Sequence, residues 1–138
     1  MYFLQRLIRR LFNTKPTENS QFFLDDKGRK IWYLWSGDPV NDLCLFHRGR
    51  WIGRMQFIWR DDIFELVDIV IYDHFPQYRN SGIGTWMFKS LVEFAREHKI
   101  SRIVGRMQPE SIDLWPKLRE FYLSLGCEFD GNWFICRV

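Results

Sequence analysis

Arg79-Asn80-Ser81-Gly82-Ile83-Gly84-Thr85 follows the apolar run Ile63–Tyr72 and opens directly into the amphipathic run Trp86–His98. Strand, glycine-containing turn, helix is a physical recipe for holding an anion. The first turn of a helix leaves backbone N–H groups without partners, and the helix dipole adds partial positive charge there. Gly82 and Gly84 let the backbone approach a ligand where a Cβ would collide, and Arg79 adds a fixed charge beside the cradle. A pyrophosphate suits that chemistry. Met87 stands where a dinucleotide-binding fingerprint has its third glycine, and no Gly-Lys-Ser/Thr follows, which argues against both a dinucleotide turn and an ATP-binding P-loop.

Length and composition agree with one domain. The chain has 138 residues, enough for a real core, and 46% of them are apolar, which excludes disorder throughout. Seven tryptophans and thirteen phenylalanines exceed what a core of this size needs, so part of that surface is expected to line a cleft. The net charge of +3 fits a polyanionic small molecule and does not require nucleic acid. Cys44, Cys127 and Cys136 are odd in number and form no Cys-x-x-Cys pair, the pattern of a reducing, cytoplasmic compartment without structural zinc. Histidines 47, 74 and 98 show no ligand spacing, so no metal is expected.

Outward from the turn toward the N-terminus, the text is β. Phe22–Leu24 and Lys30–Trp35 flank the turn Asp25–Arg29, and Leu43–His47 and Trp51–Arg60 flank Arg48-Gly49-Arg50. Ser36–Asn41, with Gly37-Asp38-Pro39, reads as a loop, and Asp61-Asp62 turns the chain into Ile63–Tyr72. An antiparallel meander of about five strands results. Before it, Leu4, Leu7, Ile8 and Leu11 recur at helical spacing opposite Arg6, Arg9 and Arg10, which predicts an amphipathic basic helix over residues 1–13, and the polar residues 14–20 read as a linker. That helix is too short to span a bilayer. Its apolar stripe needs a cover: the domain itself, a second copy as a homodimer, or an anionic membrane surface. Nucleic-acid contact has only the three arginines in its favour.

Toward the C-terminus, Met87, Leu91, Phe94 and Ala95 make one helical face, with Lys89, Glu93, Arg96 and Glu97 on the other. Ile100–Met107 is a strand parallel to Ile63–Tyr72, because a helix connects them. A second helix, capped by Ser111 or Asp113, regular from about Pro116 and buried through Leu118, Phe121, Tyr122 and Leu125, ends at Gly126. Cys127–Phe129 and Trp133–Arg137 close a last hairpin across Asp130-Gly131-Asn132.

Arg79-Asn80-Ser81-Gly82-Ile83-Gly84 resembles the Arg/Gln-x-x-Gly-x-Gly/Ala signature of the GNAT (Gcn5-related N-acetyltransferase) superfamily. The resemblance runs from Phe64 to about Phe129, where Tyr122 to Gly126 is similar to the family's Tyr-x-x-x-Gly ending. It implies an α+β domain over residues 21–138. Its sheet would be largely antiparallel, of about six to seven strands, with a parallel pair at the cofactor cleft, two main helices and the added N-terminal helix. It implies acyl transfer from acetyl-CoA to an amine acceptor by direct attack in a ternary complex. The coenzyme would lie along Ile69, Ile71 and Tyr72 with its pyrophosphate on Arg79, Asn80, Ser81, Gly82, Ile83, Gly84 and Thr85. Tyr122 aligns with the tyrosine that protonates the leaving thiolate.

An attacking amine must be neutral, so a base is useful. By the same resemblance it is an acid on the strand before the turn, here Asp68 or Glu65. Their odd spacing puts them on opposite faces of a regular strand, and Asp68 is preferred for the cleft side. The chain also departs from the family. Residues 36–41 are too few for the helices that shape an acceptor site, and Trp115 stands where the family often has asparagine. These departures point toward the alternative of a catalytically silent acyl-CoA sensor or adaptor.

Overall fold

Alternating aromatic and β-branched residues between short polar turns fold into paired strands here. The computed structural model describes residues 21–37, 41–72, 75–107 and 115–138. The helix expected over residues 1–13, the linker 14–20 and the cap at Ser111 or Asp113 lie outside the described residues. In chain order come β1 (Gln21–Leu24), β2 (Lys30–Gly37), β3 (Asn41–His47), β4 (Arg50–Arg60), β5 (Ile63–Ile71), α1 (Ile83–Glu97), β6 (Arg102–Arg106), α2 (Trp115–Ser124), β7 (Glu128–Asp130) and β8 (Trp133–Arg137). They form one eight-stranded sheet in the order β1-β2-β3-β4-β5-β6-β8-β7, parallel at β5–β6 and antiparallel elsewhere. The five-strand meander is present. The sheet exceeds the six to seven strands expected because the short β1 and β7 each pair in full with a neighbour.

Cross-strand register divides the sheet into two faces. Ile31, Leu43, Leu45, Met55, Phe57 and Phe64 point to one side, where α1 buries Ile83, Met87, Phe88, Leu91 and Ala95 against them. Phe94 of α1 stacks on Trp35 at 5.3 Å, and Trp86 stacks on Phe23 at 3.7 Å. The opposite face carries a small cluster of Cys44 and Phe46 with Trp32, Leu34 and Trp51. Burial pushes the Cys44 thiol up to about 12, so it stays protonated and inert.

Two irregularities shape the centre of the sheet. Phe57 pairs with Leu66, but Gln56 pairs with Asp68, so Val67 is an extra, bulged residue in β5. The bulge resets the alternation. Glu65, opposite Ile58, and Asp68, opposite Gln56, therefore share the face away from α1, which corrects the expectation that their odd spacing would separate them. The second irregularity is a parting of strands: β5 and β6 pair only from Ile63–Arg102 to Leu66–Gly105 and separate beyond. A Cβ at Gly105 would lie 2.3 Å from the Phe134 ring and 3.0 Å from the Leu66 carbonyl, so only glycine lets β8 come this close at the fork.

The cysteine reading also needs correction. Cys127 and Cys136 are joined in a disulfide, with Cα atoms 4.4 Å apart, and only Cys44 is free. Glu128 pairs with Ile135, so the β7–β8 ladder places residues 127 and 136 side by side. Their spacing of nine carries none of the short-motif signals used to judge cysteines, and the register alone brings them together.

Candidate functional site

Where β5 and β6 part, a cleft of about 740 Å³ opens. Its β5 wall is Leu66, Val67, Asp68, Ile69 and Val70, with Arg54 and Gln56 behind them on β4. Arg106 and Met107 line the β6 side, while α2 supplies Lys117, Leu118, Phe121 and Tyr122. Past Leu66, β5 has no ladder partner on the β6 side, so its peptide groups there are available to a ligand in an extended conformation.

Tyr122 sits on the α2 wall because α2 lays its apolar stripe on β8. Its ring stacks on Phe134 at 3.9 Å and meets Phe88 of α1 at 6.0 Å. Burial raises the pKa of its hydroxyl, and the nearby Asp68 carboxylate raises it further. The phenol therefore keeps its proton throughout the neutral range, as a proton donor must. Asp68, in the opposite wall, is paired with Arg54 Nη2 at 3.7 Å. Glu65 lies in the paired part of β5, outside the lining of the cleft, and contacts Arg60 at 3.3 Å.

Beside the cleft, the chain turns through Pro76–Tyr78 and enters α1. Asn80 and Gly82 take left-handed conformations, with φ of 54° and 81°. Gly82 is the N-cap of α1 and no side chain caps the first turn, so its N–H groups are left for another partner. Ile83 is buried in the core, and the Ser81 hydroxyl donates to the Tyr78 carbonyl at 2.6 Å, which pins the turn from both ends. Arg79 and Asn80 are exposed, and a Cβ added at Gly84 would meet the Phe121 ring at an ordinary 3.7 Å.

Sequence reasoning missed what holds this turn. The β1–β2 hairpin reaches over it: Asp26 N–H donates to the Ser81 carbonyl at 2.8 Å, and Arg29 donates to the Gln77 carbonyl at 3.1 Å. Arg29 also lies over the Tyr78 ring at 4.5 Å and is held by the buried Asp25 at 2.7 Å. Tyr78 in turn bonds His47 Nδ1. Among the residues expected along β5, Ile69 lines the cleft. Ile71 packs over Gly53, and the Tyr72 ring stands edge-on to Trp51 at 5.3 Å.

Comparison with known proteins agrees with this fold. The sequence model of the acetyltransferase (GNAT) family matches residues 4–121. No functionally curated protein matches the sequence. Among solved structures, the GNAT domain of S. lividans PAT superposes with a TM-score of 0.67 at 10% identity, over 91% of this chain and 100% of that one. The cAMP-binding acyltransferase of Mycobacterium smegmatis gives 0.66 at 12%, over 86% and 47% of the two chains. The PaiA N-acetyltransferase of Thermoplasma acidophilum, solved with coenzyme A, gives 0.55 at 18% identity. That match covers 68% of this chain, which spans only 57% of the Thermoplasma protein. At such identities the likeness is one of fold.

Proposed function

The chain belongs to the GNAT acetyltransferase family, whose acyl donor is acetyl-CoA, and from that premise we propose that it moves an acetyl or related acyl group from the coenzyme thioester to an amine. The observation that carries this reading is the pairing of Asp68 and Tyr122 in opposite walls of one cleft beside an uncapped helix N-terminus. The turn Arg79–Thr85 would hold the pyrophosphate through its backbone N–H groups, and the exposed edge of β5 beyond Leu66 would pair with the pantetheine amides. Asp68 takes the proton that the amine must lose to attack the thioester carbonyl. The C–N bond forms, the C–S bond breaks, and the Tyr122 hydroxyl gives its proton to the departing thiolate. The second proton, left on the new amide nitrogen, passes to the Tyr122 phenolate and restores the hydroxyl.

The test is coenzyme A release from acetyl-, succinyl- and longer acyl-CoA across a panel of amines and peptides. Release that depends on both the amine and the Tyr122 hydroxyl is the expected result. Coenzyme A binding without turnover on any acceptor would overturn the proposal in favour of a silent acyl-CoA-binding module.

A further inference from the structure

Among the described residues, three buried side-chain polar atoms have no hydrogen-bond partner: Ser36 Oγ, Asp42 Oδ1 and Arg54 Nε. All three lie on one patch. Ser36 pairs with Asp42 across β2–β3, Asp42 with Gln56 across β3–β4, and Gln56 with Asp68 across β4–β5. Paired residues point to the same face, so this row runs along the sheet face away from α1 and ends at the cleft. Arg54 is on the same face two residues from Gln56, lines the cleft, and turns its Nη2 to Asp68. The bulge at Val67 completes the row, since regular pairing would set Val67 opposite Gln56 in place of Asp68.

Buried polar groups are satisfied almost without exception in folded proteins, so orphans gathered at one place call for an explanation. Asp42 is only 7% exposed. Burial raises its pKa, while a hydrogen bond from Gln56 and the charge of Arg54 act the other way. Gln56 occupies part of its hydrogen-bonding capacity, and Oδ1 still wants a donor. Arg54 Nε–H wants an acceptor. One small group meets both demands: an ammonium beside a carboxylate.

We propose that Ser36, Asp42 and Arg54 form an acceptor subsite for an α-amino-acid head group, its ammonium on Asp42 and Ser36 and its carboxylate on Arg54 Nε–H. The side-chain amine of the same molecule then extends along the row toward Asp68 and the thioester. Asp42 and Asp68 flank Gln56, about 10 Å apart as two strand spacings, which suits a diamino acid rather than a short monoamine. This inference rests on the acyltransferase reading above.

The probes are L-lysine, cadaverine (lysine without its carboxylate) and 6-aminohexanoate (lysine without its α-amine), titrated calorimetrically into protein saturated with coenzyme A. Lysine is expected to bind about ten- to a hundred-fold more tightly than either analogue. Asp42→Asn should erase its advantage over 6-aminohexanoate and retain its advantage over cadaverine. Ser36→Ala should weaken lysine and cadaverine and leave 6-aminohexanoate unchanged, and none of these changes should alter coenzyme A affinity. Equal affinity for all three probes, or no lysine binding at millimolar concentration, would overturn the subsite and show that the orphaned atoms are met by buried water. Failure to bind coenzyme A would instead sink the acyltransferase reading itself.

Discussion

Asp26 reaches so far over Gly82 that a methyl group built on the glycine would lie 2.6 Å from its Oδ1. A carboxylate thus stands beside the backbone proposed to receive the coenzyme pyrophosphate, on the hairpin that also braces the turn. Like charges at that range disfavour each other, and the helix dipole and the nearby Arg79 offset the repulsion.

Removing that charge should therefore tighten binding. Asp26→Asn is expected to lower the coenzyme A Kd about two- to five-fold at low salt, with the gain fading at high salt as screening grows. Gly82→Ala should do the opposite. Its φ of 81° is strained for any Cβ and the methyl collides with Asp26, so stability drops by about 1 kcal/mol or more and coenzyme A binding is lost. Calorimetry on both variants decides; weaker binding by Asp26→Asn would show that its carboxylate organises the turn more than it repels the ligand.

Tyr122→Phe keeps the stack on Phe134 and loses only the hydroxyl. Turnover is expected to fall by roughly 10²–10⁴-fold with coenzyme A affinity nearly unchanged. Matched losses in both would assign the residue to packing.

The bulge makes a prediction that separates two acids. Asp68→Asn should cut kcat by about 10²-fold or more. Glu65→Gln, outside the cleft and engaged with Arg60, should leave kcat within about two-fold, since a surface ion pair contributes little. Steady-state kinetics on both variants test it, and a reversal of the two effects would remove Asp68 from its assigned role.

The disulfide predicts a thiol count. Denatured, unreduced protein should show one reactive thiol, Cys44, and reduction should expose Cys127 and Cys136. Cys136→Ser is expected to cost about 2–3 kcal/mol, the chain-entropy value for a loop of this length. Three reactive thiols before reduction would contradict the pairing.

His47, bonded to Tyr78, has its pKa lowered, first by burial and then by Arg48 and Arg29. Between the lowered value and the usual one near 6.5, the unfolded chain binds more protons than the folded one, so stability falls as pH drops through that window. Melting temperatures measured from pH 7 to 5 should decline in the parent protein and decline less in His47→Asn. Parallel curves would place the pH sensitivity elsewhere.

What the sequence by itself determined is everything carried by neighbours in the chain. Glycines between a β-rich run and an amphipathic run specify a strand, a turn and a helix N-terminus, and polar turns between alternating strands specify the meander. The strand that carries Asp68, the helix that carries Tyr122 and the turn Arg79–Thr85 were legible for that reason, whereas the roles proposed for Asp68 and Tyr122 came only from the family resemblance. The tertiary structure decided what depends on register between distant strands. A single extra residue at Val67 moved Asp68 onto the face of Glu65 and into line with Gln56, Asp42 and Ser36. The β7–β8 ladder joined Cys127 to Cys136, and the hairpin tip brought Asp26 to Gly82. Side-chain alternation has a period of two, so one bulge inverts every later assignment along a strand, and no pattern within that strand announces it.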